Sequence, residues 1–432
     1  MTELTELKYA FDTFYFLMCG ALVMWMAAGF TMLEAGLVRA KNTTEILTKN
    51  VVLYAIACVM YMLVGYHIMY SSAADGWLPS LGFMIGAEHS ADAMTGEDAP
   101  YYSRNADFFF QVVFVATCMS IVSGAVAERM KLWAFLAFAV VMTGFIYPVQ
   151  GFWKWGGGWL NTLGFLDFAG SGVVHLAGAA AALAGVLLLG ARKGKYGPNG
   201  QVTPIPGANM PLAAIGTLIL WFGWFGFNGG SQLKMSTFSD ANTVAGVFVN
   251  TNMAAAGGMI AALILARMLF GKADLTMALN GALAGLVAIT AEPATPSAGL
   301  ATLIGAVGGV LVVLAVLGFD KLKIDDPVGA LSVHGVCGIW GLLAVCLSNP
   351  DATLVAQLTG IGAIFAWVFV TSLIVWGVIK VIFGLRVSEE EEYNGVDTAE
   401  CGNGSRPTPL PTARPDRWQP RAARRARSSS PS

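Results

Sequence analysis

DFAGSGVVH (167–175) and DPVGALSVH (326–334) share the pattern DxxGxxxVH, and each stands at the start of a long apolar run. An Asp at such a position is a natural helix N-cap, so each stretch reads as a helix opening with a histidine about two turns inside. Working outward, runs of about 20 apolar residues bounded by charges or turn residues fall near 13–37, 51–70, 107–127, 132–149, 168–190, 209–230, 242–268, 275–291, 298–319, 328–347 and 358–384. The eighth is interrupted near Glu292 and Pro293. The two motifs open the fifth and the tenth. Five is odd, so two successive five-helix units would sit in a membrane with opposite orientation, as an inverted repeat. Asp167 then enters from one side and Asp326 from the other. At 1.5 Å per residue, eight residues carry each histidine about 12 Å into a core about 30 Å thick. The two imidazoles meet within about 6 Å in depth.

Composition agrees with a bilayer as solvent. The chain is 56% hydrophobic and 12% charged over 432 residues, with a mean hydropathy of +0.64, which leaves too little polar surface to solvate a globule of this size. Many of the 51 glycines lie inside apolar runs, where they let membrane helices approach closely. A net charge of -2 gives nucleic acid no electrostatic footprint. The six cysteines show neither CxxC nor Cys/His ligand spacing, so neither disulfides nor a metal site is expected. There is no HExxH, no GxSxG and no mid-helix lysine for a Schiff base, and an enzyme is not expected. The acidic start, with Glu3, Glu6 and Asp12, is the reverse of a signal peptide, so the first apolar run reads as a retained span.

Loop charge orients the helices. With the N-terminus outside, the cytoplasmic loops and the end of the last helix hold fourteen Lys and Arg, against four in the opposite set. The positive-inside rule therefore puts the N-terminus outside and the C-terminus in the cytoplasm.

An isolated intramembrane histidine most simply reads as a satisfied interhelical bond. Two delivered from opposite sides by related motifs read as lining a substrate path. The aromatic stretches FFFQVVF (108–114), GFWKWGGGWL (151–160) and WFGWFGFNGGS (221–231) fit either an interfacial belt or recognition of a cation by ring faces. Asp167 and Asp326 read first as caps, and Glu34 as a local cap or ion-pair partner.

GLVRAKN (36–42), GAVAER (124–129), WGGGWL (155–160), GWFGFNGGS (223–231), FVNT (248–251), DDPVGALSVHGVCGIWG (325–341) and GLRVSEEE (384–391), together with the first histidine motif, resemble the Amt/Mep/Rh ammonium transporters from about residue 12 to 400. MLEAGLVRAKNT and GYHIMY are similar to the branch that includes plant members. The resemblance implies an all-α integral membrane protein of eleven transmembrane helices, an inverted five-plus-five repeat with an added eleventh helix, assembled as a homotrimer with one pore per subunit. It divides the chain into a transporter domain over 1–390, with repeats over 1–190 and 200–350 and the last helix over 355–386, and a cytoplasmic tail over 391–432. After about 402 the tail is rich in Pro, Arg and Ser and is expected to be disordered.

By the same resemblance, Trp155, Ser231, Phe114, Trp224 and Asp167 would recruit ammonium in an outer vestibule. Phe114 and Phe227 would form a gate below it, with Gln111 accessory, and His175 and His334 would line the pore. No cofactor is implied. The partners would be ammonium or ammonia, the lipid bilayer of the inner (cell) membrane, and a PII-type regulatory protein at the cytoplasmic face. Ammonium and potassium share charge and nearly share size, but only ammonium can shed a proton and cross a dehydrated lumen as a neutral molecule. The expected mechanism is recruitment of the ion, deprotonation, and separate passage of ammonia and proton along histidines that share one proton. An ammonium sensor of the same fold and an electroneutral Rh-type gas channel for ammonia or carbon dioxide are the alternatives.

Overall fold

In lipid, helices satisfy every backbone polar group within one segment, and an apolar chain with this spacing of turn residues has little else open to it. The computed structural model describes residues 3–70, 74–90, 92–94 and 99–402, and among these the chain is helical with no β-sheet. Among the described residues, nine of the expected spans are long and apolar enough to cross a membrane: α1 (Glu3–Leu37), α2 (Ala40–Tyr70), α3 (Arg104–Ala125), α4 (Leu132–Thr162), α5 (Ser171–Leu189), α6 (Met210–Gly230), α7 (Phe238–Phe270), α9 (Ala298–Lys321) and α11 (Leu354–Ile382). Two apolar helices are shorter, α8 (Leu275–Thr290) and α10 (Leu331–Leu347). These are the expected eighth and tenth segments. The eighth stops at Thr290, just before the Glu292-Pro293 interruption. Trp25, Phe222, Ile264, Leu314 and Ile374 stay exposed along the helices, as surface that faces hydrocarbon should.

Small residues set the packing. At Gly258, Gly305 and Gly309 the backbones of α7, α8 and α9 come so close that a methyl group on any of the three would overlap a carbonyl on a neighbouring helix. This is the close approach that small residues permit where no hydrophobic force drives helices together.

α1 begins at a face that carries Asp12, Trp155 and Ser231, here called the first face. Asp12 ties α1 to the connection between α6 and α7 there by accepting Met235 N–H (2.7 Å) and Ser236 Oγ–H (2.7 Å).

The opposite, second face is closed by a buried ionic network. Glu128 accepts from Arg39 Nε (3.0 Å), the Arg39 backbone N–H (2.6 Å) and Arg192 (2.9 Å). Asp325 accepts from Arg192 through the backbone N–H (2.9 Å), Nε (2.8 Å) and a terminal nitrogen (2.9 Å). Glu128 has φ of 72°, a strained conformation for a non-glycine residue, and it is these three donors that hold it there. Burial opposes ionisation of Glu128, but Arg192 and Arg39 overcome it and hold the carboxyl down at about 2; Asp325, also buried, is held at about 2 by Arg192 and Arg129.

Both carboxyls therefore ionise below their ordinary values of 4.5 and 3.8. Their stabilisation is complete above about pH 5 and is lost as pH falls from there through about 2. Scanning fluorimetry of the detergent-solubilised protein should show the unfolding temperature dropping steeply in that window. A drop of the same size with Glu128→Gln would exclude Glu128 as a source.

After α11 the chain doubles back. Lys131 N–H donates to Leu385 O (2.8 Å) and Val387 N–H to Arg129 O (3.2 Å). Two short helices come next, α12 (Glu389–Asn394), opened by a Ser388–Glu391 capping box, and α13 (Val396–Glu400). Asp397 accepts Glu45 N–H (2.8 Å), Glu400 accepts Leu132 N–H (2.9 Å), and Val396 N–H donates to Asn42 Oδ1 (3.0 Å). The start of the expected tail is thus ordered against α2 and α4. The stretch expected to be disordered after about 402 lies outside the described residues.

Candidate functional site

Both DxxGxxxVH motifs build the same turn. The Asp167 carboxylate accepts the backbone N–H groups of Gly170 (3.2 Å), Gly172 (2.9 Å) and Val173 (2.8 Å). Asp326 accepts those of Leu331 (3.2 Å) and Ser332 (3.0 Å) together with the Ser332 hydroxyl (3.0 Å). The glycines have φ of 109° at Gly170 and 83° at Gly329, in the left-handed region that an L side chain resists. Each glycine leads into a widened π turn, Ser171–Leu176 and Leu331–Val336. In the first, His175 N–H reaches back five residues to Gly170 O (3.1 Å). Asp and Gly in the motif are therefore the means by which a histidine enters at a fixed depth and rotation.

The two rings meet. His175 and His334 lie with centroids 5.1 Å apart and planes 27° apart, and their Nδ1 atoms are 3.2 Å from each other. One Nδ1 must carry the proton and the other accept it. His175 is fully buried and its Nε2 has no hydrogen-bond partner.

Aromatic rings separate this pair from the first face. Phe114 and Phe227 are 4.2 Å apart at 39°, and Phe227 lies over His175 at 5.5 Å and 17°. Above them is a cavity of about 240 Å³ whose lining includes Phe114, Trp155, Ser231, Gln111, Asp107 and Tyr102. Trp155 stands perpendicular to Phe114 at 5.9 Å, and its indole N–H is taken by Asp167 O (3.0 Å). What Trp155 offers the cavity is therefore a ring and not a donor. Ser231 donates its hydroxyl proton to Phe227 O (2.8 Å), which leaves its oxygen to accept. A cation with N–H bonds finds in this cavity what it needs, π faces and acceptor oxygens.

The expected residues are not all in one place. Trp155, Ser231, Phe114 and Gln111 line the cavity. Trp224 does not; it stacks on His175 at 5.1 Å and donates Nε1–H to Thr290 Oγ1 (2.8 Å), making it a wall of the histidine level. Asp167 is buried, its backbone O accepting from Trp155 and its carboxylate from three backbone amides, so it holds the backbone beside the cavity rather than lining it.

Sequence reasoning missed Asp107. It accepts Tyr66 Oη–H (2.7 Å) and Gln111 Nε2–H (3.1 Å), and it lines both the cavity above Phe114 and an adjoining one of about 290 Å³ with Tyr66 and Tyr101. An acid one helical turn before Gln111, at the head of an apolar run, was the available signal.

Toward the second face, His334 borders a cavity of about 20 Å³ whose lining includes Phe30, Glu34 and Asn280. That cavity shares Asn280, Val328 and Gly329 with an open one of about 430 Å³ beside Arg192 and Asp326. The rings and cavities thus form one file between the faces.

A sequence profile described as the Ammonium Transporter Family matches residues 14–405. The chain belongs to this ammonium transporter family. Amt2 of Archaeoglobus fulgidus, named an ammonium transporter, is 40% identical over 90% of this chain and 86% of its own length. A putative ammonium transporter of Synechocystis is 41% identical over 93% of this chain and 90% of its own. Among solved structures, a protein titled Sensor Amt Protein superposes with a TM-score of 0.84 at 35% identity, over 91% of this chain and 99% of that one. Candida albicans Mep2 gives 0.78 at 27% identity, over 90% and 89%. The ammonium transporter family is one of multi-pass membrane transporters and not of enzymes.

Proposed function

We propose that the protein carries ammonium across the inner (cell) membrane by stripping it of a proton above the histidine pair and passing ammonia and proton along that pair. The observation that carries this reading is the direct Nδ1 contact of His175 and His334 at 3.2 Å beneath the tilted, closely packed rings of Phe114 and Phe227. An intact ammonium or potassium ion descending past those rings would lose its hydration in a lumen with few polar partners, at a cost of several kcal/mol. Ammonia avoids most of that cost, and potassium has no neutral form. Trp155, Phe114 and the Ser231 oxygen recruit the ion, the Asp107 carboxylate adds a favourable field, and Gln111 fixes Asp107.

In this reading the first face is outside and the second is cytoplasmic, with eleven spans arranged as an inverted repeat. The twin Asp-capped, Gly-hinged turns that approach from the two faces support that arrangement. The chain assembles as a homotrimer with a pore in each subunit, and a PII-type protein is the proposed partner at the second face.

Solid-supported membrane electrophysiology on proteoliposomes tests the core of the proposal. Ammonium salts should evoke a saturating current and potassium salts none. Equal currents from both ions would exclude the neutral route; binding without any flux would make the protein a receptor, and flux without current an electroneutral gas channel.

A further inference from the structure

Glu34 lies in the interior of α1, away from its start, and makes no direct ion pair among the described residues. It is 1% exposed, on α1, in the wall of the 20 Å³ cavity on the second-face side of His334. Its Oε2 accepts the Ser123 hydroxyl (2.7 Å), and Ser123 in turn accepts Asn50 Nδ2–H (3.2 Å). Its Oε1 has no hydrogen-bond partner. The buried cation nearby, Lys49, pairs with Glu45 at 3.4 Å and lies 5.1 Å over the Phe135 ring, with its Nζ making no hydrogen bond; its charge also acts on Glu34 but forms no direct ion pair with it. A buried carboxylate oxygen with no donor is costly unless something supplies one.

The space beside it admits one small occupant. A cavity needs roughly 10–15 Å³ of such volume to hold a water, and ammonium is close to water in size, so about 20 Å³ holds a single ion. The wall is also suited to one. Phe30 gives an aromatic face, the Asn280 side chain borders the same space, and His334 delivers at its upper end.

We infer that Glu34 forms a second ammonium site, on the cytoplasmic side of the histidines, in which the free carboxylate oxygen takes an N–H of the ion. This rests on the reading that the path runs through the histidine pair. It adds an anionic stop at the exit, where ammonium re-forms before release past Asn280 and Gly329 into the wider cavity. From the cytoplasm, the same stop is the first binding step.

The test is the sidedness of half-saturation. In proteoliposomes sorted to one orientation, Glu34→Gln keeps the shape and an acceptor for Ser123 but removes the charge. The ammonium concentration for half-maximal current from the second face should rise about tenfold, equivalent to about 1.4 kcal/mol, while that from the first face stays at the wild-type value. No change at either face, or an equal change at both, would overturn the assignment. Ammonium-induced infrared difference spectra give an independent readout: a carboxylate band present in the wild type should vanish in Glu34→Gln. If the wild type carried no current, the transport reading would fail, and the infrared band would still decide for or against the site.

Discussion

Ammonium current through the His175→Ala, His334→Ala double variant is expected to fall by roughly 100-fold, the lower range for removal of a positioned acid–base group. The gap left by two imidazoles is wide enough for water, so the loss should come with a rise in potassium current relative to ammonium. The rest of the path stays intact: Phe114 and Phe227 hold each other, and Trp224 keeps its bond to Thr290. The effect should therefore lie in turnover and selectivity, with little change in half-saturation at the first face. Electrophysiology of the purified variants reads all three. Wild-type ammonium currents with potassium still excluded would show that the imidazoles do not relay anything.

The largest expected loss of stability comes from Arg192→Met. The Glu128 and Asp325 side chains have no exposed surface, and Arg192 holds both. Removing it strands two buried carboxylates and costs roughly 3–5 kcal/mol, because the desolvation of each persists without the Coulombic return. The half-life of monodisperse protein on heating should shorten sharply, seen by size-exclusion chromatography after timed incubation. Adding Glu128→Gln and Asp325→Asn to Arg192→Met should recover much of the loss, since the uncompensated charge is what destabilises. A single Arg192→Met that survives heating like the wild type would mean that Arg39 and Arg129 suffice.

Periodicity and loop charge made the apolar segments legible, because a bilayer punishes any long helix that is not apolar. Chain length along the two motifs set histidine depth, and the contact of the rings came with it. Rotation about the helix axis was not readable. Trp224 and Phe227 are three residues apart on α6 and differ in level by about one turn, which places one beside the cavity floor and the other beside His175. Motif resemblance assigned Trp224 to the outer vestibule and Phe227 to the gate below it, whereas Trp224 lies at the level of His175. Asp107 was hidden because a single acid at a helix start reads as a cap. The π turns were invisible for a related reason: the motif supplies the Asp and the Gly, but nothing in it counts the extra residue in the turn. Glu34 was visible as an oddity, yet only packing shows that its partner is a serine and that one oxygen is left over.

The Nδ1 contact of the two histidines also bears on turnover. A neutral imidazole carries its hydrogen on one nitrogen only, so the coupled pair has just two arrangements, mirror images along the file. A proton that enters at one outward nitrogen and leaves at the other converts the first arrangement into the second. The pair then faces the wrong way for a repeat. In the proposed relay, each cycle would include a return of both tautomers before another proton could travel in the same sense, and that resetting, which needs no substrate in place, would set a ceiling on speed that ammonium concentration cannot raise.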